Sequence, residues 1–187
     1  MKHRRYWALA AASVVVLVFG SAQTTGALWR DQEAIAGGTV TSGTLDIKVG
    51  PSGTEVNNYT LAALGSSNLR PNGFSQAPLS IRNAGNQPFN YRLQGTSVSG
   101  VIPIPFNLTI TKVVAATNCV VNGGAPTGST TVLFDGPASS AQVPVAPAAR
   151  LLAPTANEVW CFRLATVSEP PQSATSQVTF SFRADQT

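Results

Sequence analysis

The sequence predicts an all-β fold, two antiparallel sheets packed as a sandwich and preceded by a cleavable signal helix. Three observations carry this expectation. Apolar residues recur at every second position in short runs, the period of a half-buried strand. The runs are separated by turn residues, drawn from 16 Gly and 13 Pro in 187 residues, at the spacing of a sandwich rather than of a βαβ protein. Beyond the N-terminal signal no stretch has the period of an amphipathic helix, and there is no internal repeat or heptad.

The chain opens on Lys2, His3, Arg4 and Arg5, followed by an apolar run at 6–19 and the small residues Gly20, Ser21 and Ala22. This is the layout of a secretory signal, and the run is short of the roughly 20 residues of a membrane span. An uncleaved signal anchor is the alternative reading. Two bonds satisfy the small-residue rule for cleavage, one after Ala22 and one after Ala27, where Leu28 would become the new N-terminus. The expected organisation is a signal at 1–27, an N-terminal segment at 28–42 and one β-sandwich domain at 43–187. A mature chain of that size buries about 70% of the surface its unfolded form exposes.

The strands follow in order. Leu45, Ile47 and Val49 alternate with Asp46 and Lys48, and the turn Gly50-Pro51-Ser52-Gly53 ends that run. Residues 56–64 read as either a strand or a short irregular helix. Leu79 and Ile81 alternate with Ser80 and Arg82, the turn Asn83-Ala84-Gly85-Asn86 follows, and Phe89, Tyr91 and Leu93 alternate next, which predicts a hairpin. Pro103 and Pro105 mark an edge or loop. Phe106, Leu108 and Ile110 form another strand face, 130–134 is strand-like, and the Pro, Ala, Ser and Val of 136–154 predict an extended surface excursion. Trp160, Phe162 and Leu164 alternate with Cys161 and Arg163, so Cys161 should point away from the aromatic face. Pro170 and Pro171 end that strand, and Val178, Phe180 and Phe182 make the last one.

Composition narrows the function. Lys2, Arg4 and Arg5 leave with the signal, so nine basic residues remain against eight acidic ones, a net charge of +1 that gives no reason to expect a nucleic-acid partner. With only 11% of residues charged, the surface relies on hydroxyls and amides and has little self-repulsion to keep copies apart. The two cysteines, Cys119 and Cys161, fit a single structural disulfide in an oxidising compartment, and no C-x-x-C redox motif is present. His3 is the only histidine and lies in the signal, which removes Ser-His-Asp and Cys-His nucleophile systems and the H-E-x-x-H zinc site. No nucleophile elbow or phosphate loop appears, so no enzyme and no cofactor are expected. Asp31 and Glu33 are close enough to hold a cation but lack EF-hand spacing, and solvated charges are the favoured reading. The sequons at Asn58 and Asn107 carry no expectation.

Three stretches carry a family resemblance. Ala27, Trp29 and Asp31 followed by Ser-Gly-Thr-Leu-Asp at 42–46, then Asn-Leu-Arg-Pro-Asn-Gly at 68–73 with Leu-Ser-Ile-Arg-Asn-Ala-Gly at 79–85, then Val-Thr-Phe-Ser-Phe-Arg-Ala at 178–184, resemble in order the pattern of the TasA/camelysin (CalY) family. Residues 100–156 match nothing in it. The resemblance implies a jelly-roll-like sandwich, cleavage after Ala27 by a dedicated SipW-type signal peptidase, and an exported bacterial protein of the cell surface or biofilm matrix. Camelysin carries a metallopeptidase label, for which this chain lacks the residues.

The expected function is therefore a secreted structural protein that polymerises with itself into extracellular fibres, with an accessory matrix protein as a further candidate partner. Cleavage frees a segment in which Leu28, Trp29, Asp31 and Ile35 are the candidate assembly residues, and strand donation to the next subunit follows by analogy with fibre-forming relatives. Trp29 reads alternatively as a core aromatic. The second expectation is a monomeric surface module that holds a glycan or a protein through loops 66–75 and 136–154, where Phe74 is the one aromatic residue.

Overall fold

The computed structural model of the chain describes residues 43–186. Eight strands make up this part: β1 (Ile47–Gly50), β2 (Phe74–Asn83), β3 (Phe89–Ser99), β4 (Phe106–Val113), β5 (Thr131–Pro137), β6 (Arg150–Leu152), β7 (Asn157–Thr166) and β8 (Gln177–Gln186). They form two antiparallel sheets, ordered β1-β2-β7-β4-β5 and β6-β3-β8. The two-sheet sandwich is the fold the alternation predicts. From β2 onward every connection except β4 to β5 passes from one sheet to the other, which wraps the chain around its core.

The core follows from the period-two pattern. Trp160 and Phe162 of β7 face Tyr91 of β3 and Phe180 and Phe182 of β8 across the sandwich. Ring centroids are 5.8 Å apart for Tyr91 and Trp160, 5.8 Å for Trp160 and Phe182, and 4.8 Å for Phe162 and Phe180. Such pairs add about 0.5 to 1.5 kcal/mol each beyond the area they bury. Ala77, Leu79, Ile81, Leu108 and Ile110 complete the larger sheet's inner face.

Cys161 projects to the opposite side of β7, as alternation requires, and joins Cys119 with their Cα atoms 5.6 Å apart. Both are buried in a second small cluster with Val113 and Val159 on the outer face of the larger sheet. The loop carrying Cys119 is held there a second time. Gln76 of β2 is fully buried, its Nε2 donates to the carbonyls of Val120 and Gly124, and its backbone N–H donates to Asn122 Oδ1. Two covalent and polar anchors thus cover a sheet face that would otherwise be wet.

Two expectations are corrected, and one that was left open is resolved. The predicted hairpin of residues 79–94 does not form, because β2 and β3 lie in different sheets. Both edges of β2 are occupied, by β1 and β7, so the turn after Asn83 serves as a crossing. Asn83 fixes that crossing: it is buried, donates from Nδ2 to the carbonyls of Gln87 and Leu152, and accepts from the Gly85 N–H. The stretch 136–154 is a surface excursion only in part: 145–149 is exposed, but other residues of it pack on the core. Ala138, Ala141 and Val143 are buried, Val143 bridges Leu93, and β6 adds to β3. Small residues let this segment close the side of the core. Residues 56–64 are a bridge at Val56 and a 3-10 turn at Ala62–Leu64.

Candidate functional site

Sheet edges expose unpaired N–H and C=O groups, and proteins blunt those they do not use. Three of the four edges here are blunted. β1 has four residues, and its free side is partly taken by the Val49 to Val56 bridge. β5 pairs through an irregular register between Ile110 and Thr111 and ends in Asp135, Gly136 and Pro137. β6 has three residues. The fourth edge, β8, runs for ten residues with no Pro, Gly or Lys, and alternates Val178, Phe180, Phe182 and Ala184 against polar partners. Ten residues extend about 33 Å.

A groove of about 800 Å³ opens between this edge and the larger sheet. Its walls are Val178, Phe180 and Phe182 on one side and Ile47, Val49, Tyr59 and Leu61 on the other, over a floor that includes Leu79, Phe106 and Leu164. Nothing charged lines it among the described residues. Much of the stretch 56–64 that sequence reading left open lies on its rim, with Leu64 buried and the Ser75 hydroxyl hydrogen-bonded to the Leu64 carbonyl.

Strand neighbours explain why the groove is there. The orders β1-β2-β7-β4 and β3-β8 match A-B-E-D and C-F of an immunoglobulin-type sandwich. In that scheme a further strand G flanks F. No described residue occupies the corresponding place beside β8, so the inward-facing side chains of β8 are only half-buried.

Of the residues singled out from the sequence, Cys119 and Cys161 meet as a disulfide. Ala27, Leu28, Trp29, Asp31 and Ile35, with the rest of 1–42, lie outside the described residues. Phe74, the aromatic of the 66–75 loop, begins β2, and Arg163 stacks over its ring at 3.6 Å from the centroid, so its face is already covered. Sequence reading identified the last strand but not its edge as a site. The signal was available in the uninterrupted, unblunted alternation of 178–184.

No protein-family model matches the chain, and no curated protein matches it.

Proposed function

We propose that this chain is an exported bacterial structural subunit that assembles into extracellular fibres or biofilm matrix, each subunit accepting the N-terminal segment of a neighbour as an added strand beside β8. The observation that supports this most is the long β8 edge, without Pro, Gly or Lys, beside an uncharged groove with apolar side chains among its lining. Strand addition takes affinity from main-chain hydrogen bonds and register from side-chain pockets. Six such bonds at about 0.5 to 1.5 kcal/mol net, with an aromatic anchor such as Trp29, outweigh the ordering of a short segment. A head-to-tail contact of this kind does not close on itself and yields a filament.

The resemblance to the TasA/camelysin family supports the same reading, including release by a SipW-type signal peptidase after Ala27. The segment 28–42 is then both the product of processing and the means of assembly. Nothing in this function calls for a cofactor or catalysis.

Negative-stain electron microscopy of a chain beginning at Leu28, beside one beginning at Gly43, tests the reading. Fibres from the first and dispersed particles from the second are expected. Fibres from both would remove the N-terminal segment from the mechanism. Dispersed particles from both, across pH and concentration, would favour the second reading, a monomeric surface module.

A further inference from the structure

We propose that the outer face of the three-stranded sheet binds an acidic polysaccharide, with Arg92 and Arg183 as its carboxylate-binding pair. The two arginines are direct cross-strand partners on β3 and β8. Like charges in this position repel, so the arrangement is one that folding alone disfavours. Arg183 is offset by Asp185 on its own strand, which accepts from its guanidinium at 2.8 Å. Arg92 has no acidic partner among the described residues.

Next to the pair the face is bare. The register shifts between Leu93 and Gly95, which frees Gln94 from pairing, and Gly95 lies opposite Ser181. A Cβ placed on Gly95 would meet nothing within 4 Å. Beyond this shelf Ser97 faces Thr179 and Ser99 faces Gln177, a double row of short hydroxyl and amide side chains. From Arg183 to Gln177 the row runs about 20 Å.

The chemistry of this face selects its ligand. Two guanidinium forks bind carboxylates through paired charge-assisted hydrogen bonds. The spaced hydroxyls match sugar hydroxyls, and the open space over half-buried Gly95 leaves room for a pyranose ring. An acidic peptide such as polyglutamate presents carboxylates without the hydroxyls that the Ser97, Thr179 and Ser181 row could pair with. A uronic-acid polymer presents carboxylates and hydroxyls together. Arg92, Gly95 and Arg183 do not line the groove, so this end of the face can be altered without touching the assembly site, although Gln177, Thr179 and Ser181 border both.

Isothermal titration of the purified protein with polygalacturonate, dextran and polyglutamate at low salt tests the proposal. Binding to polygalacturonate alone is expected, weakening as salt screens it. Arg92→Gln should weaken it about tenfold, the equivalent of one charge-assisted hydrogen bond. Gly95→Gln should weaken it by filling the shelf, with an unchanged melting temperature, and Asp185→Asn should tighten it by freeing Arg183. Equal binding of polyglutamate, no binding of polygalacturonate, or an Arg92→Gln variant that binds as the wild type does would each overturn the proposal. Fibre formation by these variants is expected to be normal.

Discussion

Glu158 on β7 accepts a hydrogen bond from the hydroxyl of Tyr91 on β3 at 2.7 Å, tying the two sheets together at one end of the core. The same carboxylate accepts from Lys112 at 2.8 Å, from two Arg150 nitrogens at 3.0 Å and from the Trp160 indole at 3.2 Å. Burial alone would raise its pKa. The donors outweigh burial and hold it at about 2, while burial and the nearby carboxylate push the Tyr91 hydroxyl up.

A depressed carboxylate stabilises the fold at pH values above its unfolded pKa and loses that contribution as pH falls through the folded one. Glu158 should therefore contribute about 3 kcal/mol above pH 5, declining between roughly pH 4.5 and 2. Glu158→Gln leaves Arg150 and Lys112 facing a neutral group, and should cost about 3 kcal/mol at pH 7. Urea unfolding of both proteins at pH 7 and pH 2 checks this. The gap should narrow at pH 2; a gap that is the same at both would show that the charge of Glu158 is not what matters.

The disulfide closes 42 positions of chain. Constraining a loop of that length stabilises by up to about 4 kcal/mol in the entropy model, and native strain commonly reduces the gain. Replacing Cys119 and Cys161 together by Ser should lower stability by about 2 to 4 kcal/mol, measured by thermal unfolding. Because Gln76 holds the same loop through its carbonyls, the variant should keep the sandwich while residues 114–130 exchange amide hydrogens faster.

The sequence made strand faces legible wherever alternation was clean. Trp160, Phe162 and Leu164 face the core and Cys161 faces away, as the period of two requires. It could not tell which strands pair. Leu79 to Ile81 and Phe89 to Leu93 look like two arms of a hairpin, and what separates them is the claim of β1 and β7 on both edges of β2, a long-range fact. The segment 136–154 misled for a different reason. Ala138 and Ala141 are small residues with weak signals of their own, and their burial comes from the space left beside Leu93. Of the candidate site, the last strand was legible, while its unpaired edge depends on the order of all eight strands.

Processing gives a separate prediction. If the N-terminal segment assembles only after release, Ala27→Phe should block cleavage at that bond, since the site demands small side chains. The expected product is an unprocessed, membrane-associated chain and no fibres. Mass spectrometry of the released protein reads the cleaved bond. Fibres whose subunits begin at Gln23 would shift the processing site to Ala22 while keeping the assembly scheme.

The β8 edge yields the sharpest test of the scheme. Val178 points inward, opposite Val98, and lines the groove that an added strand would fill. It is only half-buried, so Val178→Lys can carry its ammonium out to water along its methylene stem at a folding cost of about 1 kcal/mol. For an incoming strand the same charge sits among the apolar side chains it must pack against, and an inward-pointing lysine is a common natural device for blocking edge pairing. The variant should melt within a few degrees of the parent and remain dispersed under conditions where the parent forms fibres. Phe134 on β5, at the far edge of the larger sheet, supplies the control: Phe134→Lys tests an edge already blunted by Gly136 and Pro137, and should leave assembly intact. Normal fibres from Val178→Lys, with fibres lost in the β5 variant, would move the contact to the opposite edge of the molecule.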